Sequence, residues 1–232
     1  KTGACYVPVS NRAPQRNLME ICACVSPALV ITNRKKPDGY PGLSTAELRT
    51  LCANCPADMP PDVLAIPNLA NCSGGTTGKT KVIEQDMPAG ESDEGLRTWF
   101  AVSGMRFEMR QLLAGPLFHG APHSAAFNGL YCGNTLIMPA KLDAETIVRL
   151  IKKYRIEYVQ MVPTLMQRIS RMPGFRKEDL ASLEVLCHTG GVCSQDLKRE
   201  WLQIIPPERL YEMYAMTCLL YTSPSPRDRS VS

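Results

Sequence analysis

No apolar run in this chain approaches the ~18 residues that a membrane-crossing helix needs, so a membrane span is not expected. Charge of one sign is also scarce. A net charge of +4 over 232 residues is mild and argues against a dedicated nucleic-acid binder, which carries a dense basic stripe. The densest positive run, Arg34-Lys35-Lys36, sits beside Pro37-Asp38-Gly39 and reads as a solvated loop. Histidines number three; His119 and His123 stand four apart, a spacing that could ligate zinc on a helix, but Pro122 lies between them and no carboxylate ligand follows. The opening KTGACYVPVS has neither an initiator Met nor a charged-then-apolar leader, and reads as the inside of a longer chain.

What is present is globular. The hydrophobic fraction is 44% and the charged fraction 21%, enough for a proper core. Ten cysteines are many for the length, but disulfide scaffolds are shorter and loop-rich. Reduced, mostly buried thiols in a cytoplasmic protein are the expectation. Cys22-Ala-Cys24 and Cys52-Ala-Asn-Cys55 have a spacing that a four-thiolate zinc site uses. Two residues two apart on a helix point different ways, however, and no metal ligands are assigned.

Strand and helix patterns alternate along the chain. Strands are predicted at 4–9, 28–32 (buried), 66–72, 81–84, 110–115, 135–139, 157–162, 184–188 and 209–214. Helices are predicted at 13–25, from the capping box Ser44-Thr-Ala-Glu47 to about Cys52, and at Pro122–Tyr131. Further helices run from the Asp143 cap to Arg155, at Pro163–Arg171 and at Ser194–Gln203. Strands separated by helices of this length imply βαβ units and a largely parallel sheet, an α/β fold. No internal repeat is visible. After Thr217 the period is lost: CLLYTSPSPRDRSVS reads as a disordered or non-native tail.

One stretch carries the chemistry. Asn71–Thr80, NCSGGTTGKT, approaches the phosphate loop G-x-x-x-x-G-K-[ST] of nucleotide triphosphatases. Residue 73 is Ser where the first Gly belongs, and counting from Gly74 leaves the loop one residue short. Residues 81–84 read as strand, whereas that loop must enter a helix whose N-terminus faces the phosphates. The same residues make sense as a hydroxyl-rich loop between two strands. Ser73, Thr76 and Thr77 offer donors. Gly74, Gly75 and Gly78 let backbone approach a phosphate closely. Lys79 and Lys81 add charge, and a few charge-assisted hydrogen bonds of about 1.5–3 kcal/mol each would hold a triphosphate. As plain structure the stretch would be a flexible turn of a hairpin.

Ser73-Gly-Gly-Thr-Thr-Gly-Lys-Thr-Lys81 resembles the [ST]-[ST]-G-[ST]-[ST]-G-x-P-K loop of AMP-forming acyl- and aryl-CoA synthetases. That superfamily includes firefly luciferase and peptide-synthetase adenylation domains. Gly74 replaces a hydroxyl residue and Thr80 replaces the usual Pro. Other segments resemble the family in order: KTGACYVPVS, Pro116-Leu-Phe-His119-Gly120, Val162-Pro-Thr164, Thr189-Gly-Gly191 and Tyr214-Ala-Met-Thr217. The wording from 157 to 217 is similar to bacterial bile-acid-CoA ligases.

The resemblance implies the large N-terminal domain of an adenylate-forming enzyme, incomplete, over 1–217, with a tail at 218–232. It implies activation of a fatty, aromatic or bile acid as acyl-AMP with ATP and Mg²⁺, then transfer to CoA. The small-molecule acid, ATP and CoA are the partners, with no nucleic acid and no set oligomeric state. By the same resemblance Lys81 and Thr217 are catalytic. Ser73 to Lys79, Gly190, Gly191 and Tyr214 bind the nucleotide, and His119 and Thr189 line the acid pocket. The plainer structural alternatives are a core Tyr214, a strand-to-helix turn at Gly190-Gly191 and a hydrogen-bonded core His119; His188 is read as core. Cys218 stands where the family carries a Mg²⁺-holding Glu, and thiols are poor ligands for Mg²⁺. The small C-terminal domain is not in the sequence, so the chain alone is expected to be inactive. A carrier-protein-loading adenylation domain and an ATP-hydrolysing P-loop module are the alternatives. Against the first, residues 115–125 lack the Asp that amino-acid activation requires.

Overall fold

The computed structural model describes residues 4–56, 69–73, 81–84 and 93–214. The chain groups into two compact units, Lys1–Gly90 and Glu91–Ser232.

In the first unit, helix α1 (Gln15–Val25) buries Ile21 and Cys22 and stops at Ser26, whose backbone is left-handed. Cys24, two residues on, is exposed, as helical geometry requires. Strands β1 (Val30–Ile31) and β2 (Gly42–Leu43) pair in parallel. Helix α2 (Thr45–Ala53) starts at the expected capping box. The Glu47 N–H donates to Ser44 Oγ at 3.1 Å, and the Ser44 N–H donates to Glu47 Oε2 at 2.6 Å.

Two expected strands shrink. Residues 4–9 make only a bridge between Tyr6 and Leu69, in a segment where Pro8 has no N–H to give a ladder. The 28–32 strand contracts to two residues and is not buried: Ile31 is 49% exposed. Its partner β2 is itself two residues long, so there is no ladder to extend. The thiols also differ from expectation. Of the nine described cysteines, Cys22, Cys132 and Cys187 alone are buried.

Strands β3 (Ala70–Ser73) and β4 (Lys81–Glu84) close the first unit as an antiparallel pair, in register Ala70↔Glu84 through Ser73↔Lys81.

The second unit opens with helix α3 (Asp93–Ser103), which the sequence reading missed. Its signal was Trp99 and Ser103, one turn apart and both buried. Then β5 (Arg110–Leu113), α4 (Gly120–Tyr131), β6 (Thr135–Ile137), α5 (Ala144–Tyr154), β7 (Tyr158–Met161), α6 (Pro163–Ser170), β8 (Val185–His188), α7 (Gln195–Leu202) and β9 (Leu210–Glu212) alternate as expected. The five strands form one parallel sheet in the order β6-β5-β7-β8-β9.

Neighbouring residues on a strand serve opposite faces. Val159 and Leu186 join Ile147, Ile151 and Trp201 in the core under α5, α6 and α7. Tyr158 and Cys187 join Trp99, Met105 and Ala125 in the core under α3 and α4. With both faces covered, β7 and β8 are buried at all four positions, as an all-parallel sheet demands. Each fully buried aliphatic side chain contributes about 1.5–3 kcal/mol. The fold class is therefore α/β, a parallel sheet flanked by helices.

Candidate functional site

The chain leaves β5 to one side for β6 and returns on the other side for β7. In such sheets a ligand crevice opens beyond the carboxyl ends of the strands, where the order reverses. The residues following β5, β7, β8 and β9 all lie at that edge.

After β5, Gly115 leaves space for the first turn of α4. A Cβ there would lie 2.5 Å from Pro122 Cγ. His119 occupies the N-cap position of α4 and is exposed. Its ring tilts against Phe118 with centroids 4.5 Å apart, and its carbonyl accepts the His123 N–H at 3.1 Å. One turn further, His123 is buried and stacks on Phe127 at 4.4 Å. Burial disfavours the imidazolium and pulls the His123 pKa down to about 4. The spacing of His119 and His123 thus places one ring outside and one inside.

After β7, Val162 is the N-cap of α6 and Pro163 its first residue. After β8, Thr189 is buried, and its Oγ1 has no hydrogen-bond partner among the described residues. Its N–H donates to the Met161 carbonyl at 3.2 Å. Gly190 follows with φ +77°, and a Cβ there would come within 3.3 Å of Val162 Cγ1. Gly191 is less confined, with Pro163 Cδ at 3.9 Å from its would-be Cβ. After β9, the Met213 N–H donates to the His188 carbonyl at 3.0 Å, and Tyr214 projects with 92% of its surface exposed.

Thr189, Gly190, Gly191 and Tyr214 are therefore brought to the ends of two adjacent strands. His119 stands on the same edge beyond β5. Ser73 and Lys81 belong to the first unit, as the facing ends of β3 and β4, with Lys81 exposed. Gly74, Gly75, Thr76, Thr77, Gly78 and Lys79 lie outside the described residues, and so does Thr217.

Residues 74–80 are followed at Lys81 by strand β4, not by a helix. That excludes the P-loop frame, in which the residue after the Ser/Thr begins a helix. β3 and β4 pair antiparallel on either side of residues 74–80. His188 is buried, as read from the sequence, but the sequence reading did not foresee its setting: it pairs in register with Glu212 across the ends of β8 and β9, and Lys198 donates to Glu212 from α7. Sheet register and the packing of α7, not a local sequence pattern, bring the three residues together.

A family model described as AMP-binding enzyme matches residues 1–229. The chain belongs to this family. Among curated relatives, 4-coumarate–CoA ligase 1 of Petroselinum crispum is 27% identical over 226 residues, covering 93% of this chain and 38% of the relative. The 2-succinylbenzoate–CoA ligase of Bacillus pumilus (strain SAFR-032) is 30% identical over 151 residues, covering 62% of this chain and 28% of the relative. The chain of this family member thus spans well under half the length of either. In fold it is similar to ATP-bound MatB from Rhodopseudomonas palustris, with a TM-score of 0.77 at 18% identity over 91% of this chain and 44% of that one. Among the described residues, no helix is long and apolar enough to cross a membrane.

Proposed function

We propose that the protein carrying this chain activates a carboxylic acid with ATP as acyl-AMP and transfers the acyl group to CoA. The observation that carries the reading is the β3–β4 pair. It delivers Ser73 and Lys81 to the two ends of a loop rich in hydroxyls, glycines and lysines, in a chain of the AMP-binding enzyme family.

A carboxylate is a poor acyl donor until its oxygen is joined to a good leaving group. In the first step the carboxylate oxygen attacks the α-phosphorus and pyrophosphate departs. Most of the catalysis is positioning and charge neutralisation. Ser73, Thr76 and Thr77 would donate hydrogen bonds to the β- and γ-phosphates. The backbone N–H groups at Gly74, Gly75 and Gly78 would close on them, and Lys79 and Lys81 would offset the charge. Bare backbone at Gly190 and Gly191 offers a flat surface for adenine, and the exposed Tyr214 ring a second one. Thr217 would contact the α-phosphate. His119 and Thr189 would border the acid, and the buried, neutral His123 behind His119 keeps that wall uncharged.

Mg²⁺ would neutralise phosphate charge when bound. Cys218 follows Thr217 and is a poor ligand for so hard a cation, so Mg²⁺ would be held chiefly through phosphate oxygens. In the second step the CoA thiol attacks the acyl carbon and AMP leaves. On this reading residues 1–217 are part of an N-terminal adenylation domain, residues 218–232 are a tail, and the rest of a longer cytoplasmic polypeptide supplies the second step. The acid is fatty, aromatic or a bile acid. Relatives named for 4-coumarate and 2-succinylbenzoate, both aromatic acids, lend weight to the aromatic class.

The test is isotope exchange between ATP and pyrophosphate, catalysed by the full-length gene product over a panel of acids. Exchange that requires one class of acid is the expected result. Exchange without any acid contradicts the reading.

A further inference from the structure

Beneath α7 stands a charged cluster that the proposed chemistry does not use. His188 and Glu212 end β8 and β9 and face each other in register. His188 is 1% exposed, its Nδ1 lies 4.0 Å from Glu212 Oε1, and its Nε2 has no hydrogen-bond partner among the described residues. Lys198 reaches across from α7 and donates to Glu212 Oε2. Cys193, in the turn before α7, is the other titratable group beside Lys198 and Glu212.

His188 precedes the Gly190-Gly191 turn by two residues, and Glu212 precedes Tyr214 by two. β9 is three residues long, and among the described strands β8 is its sole partner. Beyond Glu212 a single described backbone bond, Met213 N–H to the His188 carbonyl, ties the two chain segments together. Short edge elements with few bonds fray first. The Lys198–Glu212 pair is a second tie, and it fastens the end of β9 to α7 instead of to β8.

We propose that Lys198 is a positioning residue: by fastening Glu212 to α7 it sets the separation of the Gly190-Gly191 turn from Tyr214, and so the affinity for the nucleotide, with His188 reporting the state of the tie. The inference rests on the reading of Gly190, Gly191 and Tyr214 as the nucleotide-facing surface. Burial lowers the His188 pKa, Glu212 raises it and Lys198 lowers it. Loss of Lys198 therefore moves the His188 titration up, and loss of the Glu212 charge moves it down.

The 232-residue chain has three histidines, so ¹³C-labelled imidazole signals can be assigned by substitution. Wild type, Lys198→Met, Lys198→Arg and Glu212→Gln are each titrated with acid and with millimolar MgATP. The expected result is a His188 signal that shifts with MgATP. Lys198→Met raises its titration and weakens MgATP binding by about two- to fivefold, the range of a partly exposed ion pair. Lys198→Arg restores both, and Glu212→Gln lowers the titration while weakening MgATP by a similar factor. If Lys198→Met moves the His188 titration but leaves MgATP affinity at the wild-type value, Lys198 is structural only and the inference is overturned. If MgATP shifts nothing in the wild-type chain, the nucleotide reading of this edge falls, and the inference with it.

Discussion

Ser73 and Lys81 are cross-strand partners, the last residue of β3 against the first of β4. Directly opposed residues of an antiparallel pair are close neighbours across the ladder, so the pairing brings together the two chain ends that flank residues 74–80. Lys81 is exposed. Lys81→Ala should therefore leave the fold intact and cost one charge-assisted hydrogen bond, about 1.5–3 kcal/mol, or roughly ten- to hundredfold in the use of ATP. Thr77→Ala should act in the same direction. Kinetics of the full-length protein with ATP varied, beside a thermal melt, separate the two effects. A melt that falls in step with activity would place Lys81 in the fold and not in the site.

The two glycines after β8 should separate stability from binding. Gly190 needs a positive φ, and a Cβ there meets Val162 Cγ1 at 3.3 Å. Gly190→Ala should cost about 1–2 kcal/mol of stability from the backbone alone. Gly191→Ala adds an ordinary contact with Pro163 at 3.9 Å and should stay within about 0.5 kcal/mol, yet still weaken ATP binding by covering bare backbone. Chemical denaturation of both variants beside nucleotide titration checks the split.

Acid should weaken the protein through two groups of different kinds. The Glu47 carboxylate, held by the Ser44 backbone and side chain and by Lys36, has its pKa lowered to about 2. The stability it gives the start of α2 is present above about pH 4.5 and is lost as pH falls through 2. Hydrogen exchange at the first turn of α2 should accelerate across that window, and Glu47→Gln should remove the dependence.

His123 acts at higher pH. Its folded pKa of about 4 lies below the ordinary value of 6.5, so the unfolded chain binds the proton first. Stability should be highest above pH 6.5 and decline as pH falls toward 4. His123→Phe should reduce the fall in melting temperature over that range, and the buried His188, whose pKa is also lowered, should supply the remainder. A wild-type His123 signal that titrates near 6.5 by NMR would contradict its burial.

The second unit was legible in the sequence because its strands and helices each bury one pattern. Ile147, Leu150 and Ile151 marked α5, Asp143 and Ser194 capped α5 and α7, and Pro163 opened α6. The first unit was less so. The 4–9 and 28–32 strands read as apolar runs, but a run becomes a strand only with a partner of matching length, and β2 offers two residues. Helix α3 was hidden by the polar and glycine residues around it. Of the site, the hairpin was readable from residue types at close spacing. The His188–Glu212–Lys198 cluster was not, because it joins three elements through sheet register and α7 packing, which local sequence does not encode.

The most direct test is to identify the products that the full-length protein makes from ATP, a cognate carboxylic acid and CoA. Phosphorus NMR of the reaction should show AMP and pyrophosphate appearing together, in step with the acyl thioester and only when the acid is present. ADP and inorganic phosphate, formed whether or not an acid is supplied, would contradict the account.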